Sequence, residues 1–314
     1  GVLARVLPDG HLPRHGNLSS WGSPELHASD FIFDPNGHGF SLQRARFDAS
    51  LRDGAAGAGA DVRTGARVVS AERDASGGWR VTLRAPDGGG EAVGCDWLVD
   101  ATGRSAALAR QNGAARIQHD GLVAFFARFT PDREGDRDAR TLIESAPGGW
   151  WYTALVPGGE RVVAWLTDAD LADRAALLTE AGFVAMLDRS RHVSAVLRKH
   201  GYSIAARPRG ADAGSARLDR FAGEGWICAG DAALSFDPLS SQGILTALYT
   251  GMLAGQALHA HLGGDAAALP AYADRLEQIH RAYEENRAVF YGLEARWAEH
   301  PFWSRRAPAA APAG

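Results

Sequence analysis

The sequence has 314 residues, of which 46% are hydrophobic and 22% are charged, and its formal net charge at pH 7 is -4. This composition is typical of a soluble globular protein and gives no electrostatic basis for binding nucleic acid or an anionic membrane. No apolar run approaches the roughly 20 residues that span a bilayer, and no export signal opens the sequence. Cys95 and Cys228 lie in apolar, strand-like runs, which favours buried thiols over a disulfide or a metal site. We therefore expect a cytoplasmic enzyme with no nucleic-acid or membrane partner.

The first third of the chain predicts loops, short strands and one helix. Residues 1–39 are rich in Gly, Pro, His and Asn, and their best strand signal is at residues 31–33. Phe47, Leu51 and Ala55 recur at helical spacing and predict a helix over residues 44–58. Further strands are predicted over residues 66–73, 79–85 and 96–100, the first two joined as a hairpin by Asp-Ala-Ser-Gly-Gly.

The character of the sequence changes between about residues 115 and 208 and then returns to the first style. Strands are predicted over 122–129, 150–156 and 161–167, followed by a helical stretch over 170–199. Beyond it we expect a strand over 225–229 and helices over 242–262 and 269–297. This order predicts an insertion, residues 115–208, within one α/β domain made of residues 1–114 and 209–262, with a C-terminal helical region over 263–314.

The most informative segment runs from residue 226 to residue 244, WICAGDAALSFDPLSSQGI. A buried strand ending in Gly230-Asp231 places a carboxylate at the carboxyl edge of a sheet, where open α/β sheets bind ligands. A loop containing Pro238 follows, and then a long apolar helix begins. The start of a helix presents unpaired N–H groups and a positive dipole that stabilise an anion. The segment therefore predicts a site for a ligand with hydroxyl groups at one end and developing negative charge at the other.

This segment resembles the second FAD-binding motif of the aromatic hydroxylase and halogenase superfamily of FAD-dependent flavoproteins. The resemblance implies that Gly230 and Asp231 contact the ribityl chain and that the Pro238 loop passes beside the isoalloxazine ring. It also implies that the helix start at Gly243 and Ile244 faces the N1/C2 edge of the ring. The implied fold is α/β (α+β overall), with a Rossmann-like FAD/NAD(P)-binding domain, an inserted antiparallel β-sheet substrate domain and C-terminal helices.

Other segments support the resemblance. Residues 44–48, RARFD, resemble the start of the helix that carries the family's cofactor-contacting arginine, which maps to Arg44. Residues 65–68, GARV, resemble the strand whose main chain meets the adenine, which makes Val68 a backbone contact. Residues 100–104, DATGR, resemble the turn that closes the first part of the FAD domain.

Aromatic segments narrow the resemblance to one branch. Residues 15–22, 291–297 and 301–303, together with 237–243, resemble a branch that includes flavoproteins oxidising protein-bound tryptophan during quinone-cofactor maturation. Each segment read alone also fits core packing, because tryptophan and phenylalanine mostly fill space.

The family opens with a strand, a G-x-G-x-x-G turn and a helix that together cradle the pyrophosphate. The sequence contains no such unit, and the glycines of residues 54–59, GAAGAG, follow a helix and have the wrong spacing. We therefore expect an N-terminally truncated FAD domain and refer any activity to the complete protein.

The activity implied by the resemblance is that of an FAD-dependent monooxygenase. A flavin C4a-hydroperoxide would hydroxylate an aromatic or otherwise electron-rich substrate, either a small molecule or a protein- or peptide-bound tryptophan, with O₂ as co-substrate. Electrons would come from NAD(P)H or from a separate flavin reductase. Candidate substrate contacts are His38 and the strand residues Trp150, Trp151 and Tyr152, although aromatic strand residues also commonly fill a sheet core. No catalytic base is assigned.

Three alternatives remain open on the sequence. A flavin-dependent halogenase shares the 237–243 loop pattern, but its W-x-W-x-I-P motif would fall on Tyr152, Ala154, Val156 and Pro157, without either tryptophan. A flavin reductase or dehydrogenase that does not use O₂ would share the cofactor motif. A truncated, non-catalytic fragment acting as an assembly module would explain the missing G-x-G-x-x-G.

Overall fold

The structure is a computed structural model that describes residues 2–133 and 135–307. Its strands are β1 (Leu12–Arg14), β2 (Gly16–Ser20), β3 (His27–Asp30), β4 (Gly39–Ser41), β5 (Arg67–Arg73), β6 (Trp79–Arg84), β7 (Gly90–Cys95), β8 (Leu98–Asp100), β9 (Arg116–Gln118), β10 (Leu122–Pro131), β11 (Thr141–Ala146), β12 (Gly149–Leu155), β13 (Arg161–Asp168), β14 (Tyr202–Ile204), β15 (Arg209–Asp212), β16 (Ala216–Leu218), β17 (Ala222–Gly223), β18 (Trp226–Cys228) and β19 (Leu234–Ser235). Its helices are α1 (Val2–Val6), α2 (Arg44–Gly57), α3 (Ala107–Gln111), α4 (Arg174–Leu177), α5 (Glu180–Leu187), α6 (His192–Lys199), α7 (Gly243–Leu262), α8 (Ala268–Gly292) and α9 (Pro301–Ser304).

The chain divides into two compact units. The first unit comprises the described residues within 1–62, 122–212 and 288–314, and the second comprises residues 63–121 and 213–287. The inserted segment predicted at 115–208 largely coincides with the middle of the first unit. Residues 1–62, which the sequence assigns to the FAD domain, are grouped with that segment instead. The domain boundaries predicted from the sequence therefore differ from these two structural units, and the functional domains they describe stay a prediction.

The first unit is built on one large sheet with the order β14-β10-β13-β12-β11-β2-β3, and β15 also pairs with β10. Neighbours are antiparallel except β11 and β2, which run parallel. Because β2 and β3 precede α2 in the chain, the predicted antiparallel sheet is not formed by the insertion alone. Side chains alternate between the two faces of a sheet, and on one face Trp151 and Trp165 pack with Phe183 of α5 in a buried apolar cluster.

The helical stretch predicted over residues 170–199 is divided into the three short helices α4, α5 and α6. The side chains of Asp173 and Thr179 cap the first two, accepting hydrogen bonds from the N–H groups of Ala176 and Gly182. Short polar side chains compete with the helical backbone in this way and start new helices.

The strand predicted at residues 31–33 is wrong. β3 ends at Asp30, and Ile32 and Phe33 are 80% and 92% exposed in a turn. Asp34 accepts a hydrogen bond from the N–H of Asn36, so the Asp-Pro-Asn-Gly sequence that follows forms a turn rather than extending the strand.

The second unit contains two antiparallel sheets and a third small sheet that includes one parallel pair of strands. β5, β6 and β7 form an antiparallel sheet, while β18 pairs antiparallel with β17 and parallel with β8. Trp79, Trp226 and Leu276 belong to the buried core of this unit, and the indole N–H of Trp79 donates to the carbonyl of Gly225. The hairpin predicted from the turn at residues 74–78 is confirmed by the register of β5 and β6.

Candidate functional site

The candidate site begins where β8 and β18 end side by side. Their register pairs Cys228 with Asp100, and the N–H of Ala229 donates to the Asp100 carbonyl at 3.0 Å. Because the strands are parallel, the segments that follow them emerge at the same edge. The Gly230-Asp231 turn therefore lies next to the turn that begins at Thr102.

Asp231 presents a carboxylate at this edge with 39% of its side chain exposed, and its Oδ2 lies 3.8 Å from Nε of Arg104. Arg104 is held in place by hydrogen bonds to the carbonyls of Gly214 and Phe236. A carboxylate so placed accepts hydrogen bonds from hydroxyl groups. The resemblance of residues 100–104 implies a chiefly structural role for Arg104. Its contact with Asp231 depends on two strands whose paired residues are 128 positions apart and meet only in the folded chain.

Gly230 allows this turn to approach α7 closely. Its φ is +61°, a left-handed conformation that favours glycine, and a Cβ there would lie 3.4 Å from the Cβ of Ala247. Its N–H donates to Oγ1 of Thr250 at 2.8 Å, and that hydroxyl donates in turn to the carbonyl of Thr246. The glycine and the two threonines fix the end of the strand against the first turns of the helix.

The start of α7 is uncapped and open. A short 3₁₀ turn over Pro238–Ser240 precedes it, and Ser241 has a left-handed φ of 53°. Gln242 makes no side-chain capping bond, and a Cβ on Gly243 would meet no atom within 4 Å. The first N–H groups of a helix have no intrahelical acceptor, so Gly243 and Ile244 stand at a helix start that can receive an anionic group.

Tyr283 of α8 anchors the loop that contains Pro238. Its ring stacks on Phe236 with centroids 4.0 Å apart, its Oη accepts a hydrogen bond from the N–H of Asp237 at 3.0 Å, and it shares a 2.5 Å hydrogen bond with Oγ of Ser215. Burial, followed by the charge of Asp237, raises the pKa of the Tyr283 phenol, which therefore stays neutral. Sequence analysis missed this residue because helical spacing in α8 does not reveal which loop a side chain contacts.

Arg287, one turn further along α8, lies close to the buried carboxylate of Asp237 in the same loop and compensates its charge. Its guanidinium lies 2.9 Å from Asp120 and 3.9 Å from Asp237, whose side chain is 1% exposed. Asp237 also accepts a hydrogen bond from the N–H of Leu239. Together with Tyr283, Arg287 holds the segment between β19 and α7 in one conformation.

The remaining cofactor residues predicted from the sequence lie in different units. Val68 is in β5 of the second unit, 40% exposed, where the pairing with β6 shifts register between Val68 and Ser70. Arg44 begins α2 in the first unit and forms an exposed ion pair with Asp48 at 3.3 Å. Their roles as adenine and cofactor contacts stay predictions.

The predicted substrate strand, β12, presents its aromatic residues on opposite faces. Trp151 is buried against Trp165 on the face covered by the helices. Trp150 is also buried, on the other face, where its indole N–H donates to Oη of Tyr291 at 3.2 Å. Tyr152 shares the face of Trp150 and is partly accessible. Of the three, Tyr152 alone keeps part of its surface accessible to solvent.

The aromatic segments that narrow the resemblance converge within the first unit. Trp21, Tyr291 and Trp303 pack edge-to-face or tilted, with ring centroids 5.2 to 6.0 Å apart. Beside them the buried carboxylate of Glu294 accepts hydrogen bonds from the N–H of Gly22, Oγ of Ser145 and the guanidinium of Arg296. These residues join the start of the chain to its C-terminal region.

His38 lies on the exposed segment before β4. Its ring centroid is 5.1 Å from that of His15 and 4.9 Å from that of Phe40. Its role as a substrate contact stays a prediction.

A carboxylate at the carboxyl edge of parallel strands, followed by an open helix start, is the arrangement of a cofactor-binding α/β enzyme. The residues present fit the flavin: Asp231 can accept hydrogen bonds from ribityl hydroxyls, and the start of α7 is unobstructed at Gly243, where a Cβ would meet no atom within 4 Å. The sequence profile of the family described as FAD binding domain matches residues 40–287. The chain belongs to this family and is an FAD-dependent oxidoreductase.

Individual relatives agree with this assignment. The chain is 30% identical over 299 residues to the putative FAD-dependent oxidoreductase LodB of Marinomonas mediterranea, covering 94% of this chain and 78% of LodB. The fold is similar to that of the myxobacterial chondrochloren halogenase CndH, with a TM-score of 0.85 and 22% identity over 97% of this chain and 72% of CndH. It is also similar to the peptidyl tryptophan dihydroxylase QhpG, with a TM-score of 0.79 and 25% identity over 100% of this chain and 68% of QhpG.

Within the described residues, no helix is both long enough and apolar enough to cross a membrane.

Proposed function

We propose that the complete protein is an FAD-dependent monooxygenase that hydroxylates an aromatic or otherwise electron-rich substrate. The observation that carries the proposal is the exposed carboxylate of Asp231, which lies at the same strand edge that Gly230 fixes against α7. The similarity to a peptidyl tryptophan dihydroxylase supports hydroxylation, and it makes a protein- or peptide-bound tryptophan a candidate substrate beside small aromatic molecules.

FAD, once bound and reduced by NAD(P)H or by a separate reductase, supplies the activation of O₂. The residues of the chain bind and orient it. Asp231 would accept hydrogen bonds from the ribityl hydroxyls, and the N–H groups at Gly243 and Ile244 would stabilise negative charge on the ring. The Pro238 loop, held by Tyr283, would limit the position of the ring.

The test compares Asp231→Ala and Asp231→Asn with the parent protein. We expect the parent to bind FAD and show visible flavin absorption, the alanine variant to lose most of this binding, and the asparagine variant to retain part of it, because an amide oxygen still accepts hydrogen bonds. The matched control is Asp188→Ala, which removes an exposed carboxylate that pairs with the exposed Arg198. Equal FAD affinity in all of these proteins would refute the role of Asp231.

Turnover distinguishes the oxygenase from its alternatives. A monooxygenase consumes O₂ together with the electron donor and adds the mass of one oxygen atom to its product. A product whose mass changes with the halide ion supplied would instead identify a halogenase. Donor oxidation without O₂ consumption would identify a reductase or dehydrogenase, and flavin binding without any turnover would favour an assembly module.

A further inference from the structure

Arg14, at the end of β1, is a partly buried cation with no anionic partner among the residues that the structure describes. Its Nη1 donates to Oγ1 of Thr141 at 2.7 Å, and its Cζ lies 5.8 Å from the centroid of the Phe31 ring. Its Nε is buried and has no hydrogen-bond partner among the described residues. No carboxylate of the described residues forms an ion pair with it, and its contacts with Thr141 and Phe31 are to neutral groups.

Other buried arginines of the same unit are paired. Arg161 lies 2.7 Å from Asp136, and Arg306 lies 2.5 Å from Asp168, with all four side chains at most 3% exposed. Removing a charge from water is unfavourable unless an opposite charge or several hydrogen bonds compensate it. A guanidinium that is only partly buried and has no such compensation among the described residues is therefore suited to an anion that arrives from outside.

The groups around Arg14 are suited to the same anion. Thr141 lies on β11 two residues before Ile143, which pairs with Tyr152, so the threonine and the tyrosine share one face of the sheet. Burial raises the pKa of the Tyr152 phenol, while the charge of Arg14 and the hydroxyl of Thr141 act in the opposite direction. The phenol is thus a neutral hydroxyl donor, and it lies close enough to the guanidinium of Arg14 to interact with its charge.

Two of the substrate contacts predicted from the sequence lie near Arg14. The charge of Arg14 lowers the pKa of the Tyr152 phenol against the effect of burial. The register of β1 and β4 pairs Arg14 with Gly39, the residue after His38. The guanidinium therefore lies on the sheet face that carries Tyr152, beside the segment that carries His38.

We propose that Arg14, which Thr141 positions, binds together with Tyr152 a carboxylate carried by the substrate. A guanidinium presents two parallel N–H donors that match the two oxygens of a carboxylate, and the phenol adds a third donor. The carboxylate belongs either to a small aromatic acid or to a peptide. That the bound molecule is the substrate rests on the proposed function, whereas binding of the carboxylate does not require flavin.

The binding test uses the full chain and two pairs of probes. Benzoate is compared with benzamide, and a short tryptophan-containing peptide with a free carboxyl terminus is compared with its amidated form, by calorimetry. We expect the carboxylate member of one pair to bind saturably and the neutral member to bind about tenfold more weakly or worse. Benzoate binding indicates a small aromatic acid, and binding of the peptide alone indicates a peptide carboxylate. Absence of any preference for the charged member in both pairs would overturn the proposal.

Variants test the residues. Arg14→Gln should weaken carboxylate binding about tenfold or more, Tyr152→Phe should weaken it by a smaller factor, and Arg14→Lys should restore part of it because the charge remains. Arg198→Gln, which removes an exposed arginine of α6, is the matched control and should bind like the parent. If Arg14→Gln and Arg198→Gln bind the carboxylate equally, the assignment of Arg14 is wrong.

A stability comparison separates an anion site from a structural arginine. Without ligand, Arg14→Met should unfold at the same urea concentration as the parent or a higher one, because no carboxylate loses its partner, whereas Arg161→Met should unfold at a clearly lower one. Equal destabilisation by the two substitutions would show that Arg14 is structural and would overturn the inference. If the protein binds the carboxylate but does not bind FAD, the proposed function is contradicted and the carboxylate site is not.

Discussion

The most direct prediction concerns the single hydroxyl of Tyr283. Tyr283→Phe removes Oη and keeps the ring that stacks on Phe236 at 4.0 Å. The N–H of Asp237 then loses its acceptor at 3.0 Å, and Oγ of Ser215 loses its 2.5 Å partner. Because the phenol is neutral, the substitution removes hydrogen bonds and no charge.

The magnitude follows from the burial of these groups. A buried polar group left without a partner costs about 1–3 kcal/mol. Ser215 can rotate its hydroxyl toward another acceptor, whereas the N–H of Asp237 is fixed in the backbone. We therefore expect Tyr283→Phe to lower the free energy of unfolding by about 2 kcal/mol and to weaken FAD binding, because the Pro238 loop loses its anchor.

A matched control lies in the other unit. Tyr202 of β14 is half-buried, and its Oη lies 2.9 Å from the Asp136 carboxylate and 3.0 Å from the Gly159 carbonyl. Tyr202→Phe should also lower stability and leave the FAD affinity unchanged. Urea unfolding followed by tryptophan fluorescence measures the first quantity, and titration of visible flavin absorption measures the second. Unchanged stability of Tyr283→Phe, or equal loss of FAD affinity in both variants, would refute the reasoning.

Three further predictions concern backbone strain, pH and a buried ion pair. Gly230→Ala should lower the free energy of unfolding by about 1–2 kcal/mol, since φ at this residue is +61°; an unchanged urea midpoint would contradict this. Burial, followed by the charge of neighbouring His119, lowers the pKa of His280 to about 4. Between about pH 4 and pH 6.5, His280 is therefore protonated in the unfolded chain and neutral in the folded chain. The contribution of His280 should be complete above about pH 6.5 and decline by about 3 kcal/mol toward pH 4, and urea unfolding across this range should show a flatter profile for His280→Phe. Asp168→Asn leaves Arg306 without its 2.5 Å carboxylate partner and should cost about 3–5 kcal/mol; a loss below 1 kcal/mol in thermal or urea unfolding would show that the pair contributes little.

The sequence alone determined the elements whose signals are local. The helix starting near residue 44, the hairpin around residues 74–78 and the long helix of the 226–244 segment all appear at or close to their predicted positions. The Gly230-Asp231 pair was also recognisable, because a short apolar strand, a turn and a helix start lie within twenty residues of one another. Periodicity and turn chemistry act over such distances, so neighbouring residues suffice to predict them.

Tertiary structure decided which side chains meet. Only strand register shows that Trp151 faces the helix-covered core while Tyr152 faces the side of Arg14, since adjacent strand residues point to opposite faces. Likewise, only the folded chain brings Arg104 to Asp231 and Tyr283 to the Pro238 loop. These contacts depend on pairings between segments far apart in sequence, and the energy that selects them comes from burial and hydrogen bonding of the whole unit, which no local pattern encodes.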